Sequence, residues 1–283
     1  MKLKLGIFGY PLSHSISPAF QQAALDELNL DVTYEAWEVR PSDLTSRIEE
    51  LRNPGYLGAN VTIPHKESAM NLVDDLDPLA EKIGSLNTIV NRNGKLFGYN
   101  TDASGLLKAL NYTGVFDPNG AQVLIVGAGG AARAAVCALL DLNIAGLVIA
   151  NRTVDRAIVL QKYFDSNIEV LAIGIDDPRF SEYINKSKLI INCTSVGMKN
   201  GPAEHLSPLG ESLIPEESLV CDMVYNPPMT PLLAEAVKSG AFIVGGLPML
   251  IYQGASAFEL WTNVAPPISV MFTAAENALE GNQ

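Results

Sequence analysis

Short apolar runs and longer amphipathic stretches alternate along the chain, and their two periods predict most of its elements. Residues 3–8 are an apolar run closed by Gly9-Tyr10-Pro11, which predicts a strand and a turn. Ser17-Pro18 then offers an N-cap with proline at the first helical position, and residues 20–28 carry a helical pattern. Residues 33–39 alternate as a strand does. A helix is expected over 41–51 with Ser42 as its cap, a strand over 56–63, and a helix over 64–73. Residues 88–92 and 95–99 flank Asn93-Gly94, a strong signal for a hairpin with a type I′ turn. A helix follows over 103–110, and Pro118-Asn119-Gly120 reads as a turn at a domain boundary.

From Gln122 the pattern changes. Residues 123–126 are continuously apolar, as in a sheet buried on both faces. Helices over 131–142 and 154–164 alternate with strands over 147–150 and 168–172. Further strands are expected at 189–193, 219–223 and 242–244, and two helices at 248–261 and 267–279 close the chain. Such a βαβ series predicts an α/β protein with a parallel, doubly wound sheet.

Composition narrows the function classes. The 283 residues suit about two domains at ~150 residues each and bury enough core to need no staple. With 31 acidic against 19 basic side chains, the net charge of -12 repels a phosphate backbone, so nucleic acid is not an expected partner. A small anion held by a few local cations is compatible with that charge. Cys137, Cys193 and Cys221 are sparse and lack CxxC spacing, which predicts buried free thiols in a reducing compartment. His14, His65 and His205 have no partners at metal-ligand spacing, so no metal site is expected. No run reaches the ~18 apolar residues of a membrane span. The basic N-terminus turns too early for a secretory h-region, and a cytoplasmic protein is expected.

Three constellations carry chemistry. Gly127-Ala128-Gly129-Gly130-Ala131-Ala132-Arg133 follows an apolar strand and opens a helix, so Gly127, Gly129 and Ala132 fit the G-x-G-x-x-A dinucleotide fingerprint. A Gly-rich turn alone is weak evidence; the strand before it, the helix after it and the second strand strengthen it. Gly127 permits the tight turn, Gly129 close approach of backbone to a pyrophosphate, and Ala132 close helix packing. Asn151-Arg152-Thr153 ends the next strand, with Arg156 one turn on. NAD enzymes place an acidic residue here; an Arg instead suits a 2′-phosphate. Two arginines near a helix start would otherwise oppose its dipole. In the N-terminal half, Asn60 to Lys66, Asn87-Thr88 and Asn100-Thr101-Asp102 place polar groups where strands end, the ligand edge of open α/β sheets. Singly these are ordinary turn residues, Asp102 a possible helix cap and Lys66 a surface charge at a helix start. Their recurrence favours a site.

On these motifs the chain resembles the shikimate dehydrogenase family. The match extends through Ser15-Ile16-Ser17-Pro18, Asn192-Cys193-Thr194-Ser195-Val196-Gly197-Met198, Asp222-Met223-Val224-Tyr225-Asn226-Pro227 and Gly246 to Gln253, running on into Ala257-Phe258-Glu259-Leu260-Trp261. The resemblance implies NADP-dependent reduction of 3-dehydroshikimate to shikimate in aromatic amino-acid biosynthesis. It implies a substrate and catalytic domain over 1–104, a Rossmann NADP domain over 105–245, and C-terminal helices over 246–283 returning to the first domain beside an interdomain cleft. By the same resemblance Ser15 and Ser17, with Tyr225, would bind the substrate carboxylate. Thr62, Asn87, Asp102 and Gln253 would hold ring hydroxyls, and Lys66 paired with Asp102 would be the general acid/base. Gly127, Ala128, Gly129, Gly130 and Ala131 would bind pyrophosphate. Asn151, Arg152, Thr153 and Arg156 would surround the 2′-phosphate, and Thr194, Met223 and Gly246 would line the nicotinamide side. A monomer or homodimer is expected. The alternatives are a quinate/shikimate dehydrogenase using NAD and a non-catalytic NADP-binding regulator; Arg152 opposes the first, and intact Lys66 and Asp102 the second.

Overall fold

The computed structural model describes residues 2–12, 15–164, 166–210 and 214–281; His14 lies outside them. The chain divides into two compact units, Met1–Gly105 with Ile251–Gln283, and Leu106–Leu250.

The first unit contains the strands β1 (Leu3–Gly9), β2 (Val32–Glu38), β3 (Gly58–Val61), β4 (Asp75–Leu76), β5 (Thr88–Arg92) and β6 (Lys95–Tyr99). They form one mixed sheet in the order β2-β1-β3-β5-β6-β4. β1 runs parallel to β2 and β3, while β5 runs antiparallel to β3 and β6. The hairpin turn has Asn93 at φ 56° and Gly94 at φ 87°, as a type I′ turn requires. The helices are α1 (Ser17–Glu27), α2 (Leu44–Glu50), α3 (Pro78–Ile83) and the start of α4 (Asp102–Thr113), which runs on into the second unit. Phe8, Val39, Leu44, Ile48, Leu51, Val61 and Ile89 form a continuous core cluster. α9 (Gly246–Thr262) crosses back into the first unit, and α10 (Ile268–Glu280) packs on α1. Gly254 of α9 lies so close to α1 that a Cβ there would stand 2.6 Å from the Phe20 ring. Phe20 is fully buried, worth about 2–3 kcal/mol of transfer free energy.

The second unit alternates β7 (Gln122–Val126), α5 (Gly130–Leu140), β8 (Gly146–Asn151), α6 (Val154–Tyr163), β9 (Glu169–Gly174), α7 (Phe180–Lys186), β10 (Leu189–Asn192), β11 (Leu219–Asp222), α8 (Pro231–Lys238) and β12 (Phe242–Val244). Every pairing is parallel, in the order β12-β11-β10-β7-β8-β9. This is the doubly wound arrangement expected from the apolar runs, and its order reverses between β7 and β10.

Several local expectations are corrected. The N-cap of α1 is Ile16, not Ser17, which is the first helical residue. Ser42 caps nothing: it lies in a 3-10 turn, Pro41–Asp43, and its hydroxyl donates to Asp43. Residues 64–73 form no α-helix, only a 3-10 turn over Ser68–Leu72, so Lys66 stands in a loop rather than at a helix start. A long-range bond takes a group a helix would use. The Lys66 carbonyl accepts from the Leu86 N–H at 3.0 Å instead of from an N–H one turn on; the His65 ring, separately, meets the Val39 carbonyl at 2.7 Å. The units divide at Gly105–Leu106 inside α4, and Pro118-Asn119-Gly120 lies within the second unit. The short helices α3, α7 and α8 escaped the periodicity, although Asp77 and Thr230 cap α3 and α8 ahead of Pro78 and Pro231. Cys137 and Cys221 are buried, but Cys193 is only half-buried; all three are free thiols. Among the described residues, no helix is long and apolar enough to cross a membrane.

Candidate active site

In the first unit, strand direction gathers the polar residues. Because β5 is antiparallel to β3 and β6, Asn87 at its start lies at the same sheet edge as Thr62 after β3 and Asn100 after β6. The Asn100 side chain accepts from the Asp102 N–H at 3.0 Å and so satisfies the first N–H of α4. The Asp102 carboxylate is thereby left for other partners. Its Oδ2 accepts from Lys66 Nζ at 2.6 Å and its Oδ1 from Asn87 Nδ2 at 2.9 Å. The Lys66 side chain is 16% exposed and that of Asp102 only 4%, so the pair is largely shielded.

Asn87 is the hub. Its Nδ2 faces Asp102, Thr101 Oγ1 at 2.9 Å and Gln253 Oε1 at 3.1 Å. Its Oδ1 accepts from the Thr101 N–H at 2.8 Å and the Thr88 hydroxyl at 3.0 Å. Gln253 reaches it because α4 carries Gly105 where α9 passes: a Cβ there would stand 2.8 Å from Gln253 Cβ. Ser15 and Ser17 adjoin one another, the Ser17 N–H donating to Ser15 Oγ at 3.3 Å. Thr62 is half-buried, and among the described residues its hydroxyl has no hydrogen-bond partner. The structure thus joins Lys66, Asp102, Asn87 and Gln253 by hydrogen bonds, and leaves Ser15, Ser17 and Thr62 outside that network. Tyr225 is half-buried in the second unit.

In the second unit the Gly-rich turn lies at the point where strand order reverses. Gly127 has φ +117°, and a Cβ on it would stand 3.1 Å from the Cys193 carbonyl after β10, so only glycine fits. A Cβ on Gly129 would meet nothing within 4 Å, and Ala132 is fully buried. Gly129 is the N-cap of α5 and provides no side-chain cap, so the helix presents free N–H groups. Arg152, Thr153 and Arg156 are exposed beyond β8, and Asn151 Nδ2 donates to the Thr153 carbonyl at 2.8 Å. Among the described residues neither Arg152 nor Arg156 has an acidic partner. Gly246 meets Met223, where a Cβ would collide with the Met223 carbonyl.

Beneath Thr194 and Met223 lies a network that pattern reading missed. Asn192 Oδ1 accepts from the Thr194 hydroxyl at 2.7 Å, and Asn192 Nδ2 donates to Asp222 Oδ1 at 2.9 Å. Asp222 Oδ2 accepts from Thr230 at 2.6 Å. Burial raises the Asp222 carboxyl above its usual pKa, against the lowering effect of the bonds from Thr230, Val224 and Asn192. The available signal was a polar residue closing each apolar strand, Asn192 after β10's isoleucines and Asp222 after Cys221.

Three stretches match known domain families. Residues 7–89 match the shikimate dehydrogenase substrate binding domain, 110–220 the shikimate / quinate 5-dehydrogenase family, and 246–276 the shikimate 5'-dehydrogenase C-terminal domain. The shikimate dehydrogenase (NADP(+)) of Methanopyrus kandleri is 45% identical over 270 residues, 94% of this chain and 92% of its own length. The chain belongs to the shikimate dehydrogenase family. Among solved members, shikimate 5-dehydrogenase from Thermus thermophilus, in complex with NADP(H) and shikimate, is 39% identical with a TM-score of 0.87, covering 98% of this chain and 100% of that one. Quinate dehydrogenase from Corynebacterium glutamicum, in complex with NAD, is 27% identical with a TM-score of 0.87 over 98% and 99%. The family therefore includes relatives bound to either nicotinamide cofactor.

Proposed function

We propose that the protein is a shikimate dehydrogenase that reversibly reduces 3-dehydroshikimate to shikimate with NADPH, a step of aromatic amino-acid biosynthesis. The observation that carries this reading is the Lys66–Asp102 ion pair, 2.6 Å long and steadied by Asn87 at a strand-end edge. The second unit suits the cofactor. A turn whose Gly127 admits no Cβ, an uncapped helix start and two arginines that have no acidic partner among the described residues together match a pyrophosphate and a 2′-phosphate. Gly127 to Ala131 would hold the first, and Asn151, Arg152, Thr153 and Arg156 the second. Thr194, Met223 and Gly246 would stand beside the nicotinamide. When bound, the cofactor supplies or accepts a hydride.

The chain's own residues manage the proton and the pose. In reduction, Lys66 Nζ gives a proton to the oxygen becoming a hydroxyl; in oxidation it takes that proton back. Asp102 holds the ammonium in place and keeps a carboxylate oxygen near the same hydroxyl. Thr62, Asn87 and Gln253 offer neutral donors and acceptors to the ring hydroxyls, which disfavours analogues that leave these groups unpaired. Ser15 and Ser17 bind the carboxylate through hydroxyl donors. The three free thiols suit the cytoplasm as the working compartment.

Turnover of shikimate and quinate, each with NADP+ and NAD+, tests the reading. Shikimate with NADP+ gives the highest kcat/KM. A preference for quinate with NAD+ would favour the activity of the Corynebacterium relative, and no turnover of either substrate would remove the enzyme reading.

A further inference from the structure

The Lys66–Asp102 pair stands at one end of a buried hydrogen-bond chain whose other end lies across β1. Tyr34 on β2 donates its hydroxyl to Asn60 Oδ1 on β3 at 2.7 Å, and β1 lies between those strands. Asn60 Nδ2 faces Thr88 Oγ1 at 3.2 Å and the Asn87 carbonyl at 3.1 Å. Asn60 and Thr88 are register partners across β3 and β5. The Thr88 hydroxyl donates to Asn87 Oδ1 at 3.0 Å, and Asn87 Nδ2 donates to Asp102 Oδ1. Tyr34, Asn60, Thr88 and Asn87 are all buried, so each link is made within the protein.

Chemistry fixes the direction of this chain. A carboxylate only accepts, so Asn87 must turn its Nδ2 toward Asp102. Its Oδ1 then faces the Thr101 N–H and the single hydroxyl hydrogen of Thr88. With that hydrogen committed, Thr88 Oγ1 must accept, and the Asn60 amide supplies the donor. Asn60 Oδ1 is left facing Tyr34. Burial pushes the Tyr34 phenol well above its usual pKa, so it keeps its proton and donates. Reversing the chain would require Asp102 to donate, which its ion pair with Lys66 opposes. Apolar β-branched side chains would fill the same buried strand positions without this demand for partners.

We propose that Tyr34, Asn60 and Thr88 are positioning residues for the reaction, holding the Asn87 carboxamide with its Nδ2 on Asp102 so that the carboxylate and the Lys66 ammonium stay aimed at the reacting hydroxyl. This rests on the reading of Lys66 and Asp102 as the acid/base pair. The three residues touch neither substrate nor cofactor; they act through Asn87.

The test compares Thr88→Val, Thr88→Ser and Tyr34→Phe with the wild type in shikimate oxidation. The readouts are kcat across pH, KM for shikimate and the dissociation constant of NADP+. Thr88→Val lowers kcat about tenfold, the scale on which outer partners of a site act. It also shifts the pH profile of kcat, while NADP+ affinity is unchanged. Thr88→Ser keeps the hydroxyl and recovers most of the rate. Tyr34→Phe lowers kcat in the same sense but less, because the Asn87 carbonyl still orients the Asn60 amide. It deletes one oxygen, so it decides the matter if Thr88→Val does not fold. Wild-type kcat and pH profile in either Thr88→Val or Tyr34→Phe overturns the proposal, as does a Thr88→Ser variant as impaired as Thr88→Val. An inactive wild type would defeat the functional reading itself, whereas an active wild type matched by Thr88→Val defeats only the chain.

Discussion

Replacing Lys66 by Met removes the ammonium and keeps most of the stem, so its consequences separate into stability and chemistry. Lys66 Nζ stands 2.6 Å from Asp102 Oδ2, and the Asp102 side chain is only 4% exposed. Deleting one member of a buried pair costs about 3–5 kcal/mol, because the remaining charge is stranded. Here Lys66 is 16% exposed and Asp102 keeps its bond from Asn87, which places the loss at or just below the bottom of that range, about 2–3 kcal/mol. At roughly 2–4 °C per kcal/mol for domains of this size, the melting temperature falls by about 5–10 °C. The chemical effect is larger. Loss of a general acid/base lowers kcat by about 10²–10⁴. NADP+ affinity is unchanged, since the glycine turn and Arg152 belong to the other unit. Steady-state kinetics of shikimate oxidation, NADP+ titration by fluorescence and thermal melting by circular dichroism measure the three quantities. Lys95→Met is the control: Lys95 and its partner Asp75 are both 54% exposed, so kcat and melting change little. A Lys66→Met enzyme that melts normally or keeps near-normal kcat would refute the reasoning.

Replacing Ser15 and Ser17 together by Ala raises KM for shikimate and spares NADP+ binding; equal loss of both affinities in the same titrations would contradict the carboxylate assignment. Arg152→Asp moves cofactor choice from NADP+ toward NAD+. Charge-assisted bonds to a phosphate are worth about 1.5–3 kcal/mol each, so the wild type favours NADP+ at least about tenfold. An unchanged kcat/KM ratio in the mutant would make Arg152 a bystander. The Arg179 guanidinium and N–H hold the Asp177 carboxyl down at about 2, from an ordinary 3.8. That folded value lies below the unfolded one, so its stabilisation is present above 3.8 and is lost as pH falls through about 2. An NMR titration of Asp177 finds that midpoint, and Arg179→Ala moves it upward; a wild-type midpoint near 3.8 would exclude the pairing in solution.

The order of elements and the chemistry at strand ends were readable because both are written in local pattern. Four successive apolar residues, Val123 to Val126, can only be a strand buried on both faces when a glycine turn and a helix follow, and β7 and α5 occur there. Asn93-Gly94 specified its turn because both positions need positive φ. Local pattern failed where distant groups claimed the backbone. Residues 64–73 have helical spacing, but the Leu86 N–H takes the Lys66 carbonyl and only a 3-10 turn over Ser68–Leu72 forms. The same long-range decision lifts Lys66 out of a helix and sets it against Asp102. No sequence period announces that α9 carries Gln253 back to Asn87, since that contact depends on the missing Cβ of Gly105 in a helix far away along the chain. Nor does periodicity mark Tyr34 apart from an ordinary strand residue. Local pattern therefore suffices to say which segments fold as strands and helices and which polar residues stand at their ends. Which of those polar residues meet is settled by long-range packing, because an antiparallel β5, a crossing helix and buried hydrogen bonds are satisfied only when the whole sheet has formed.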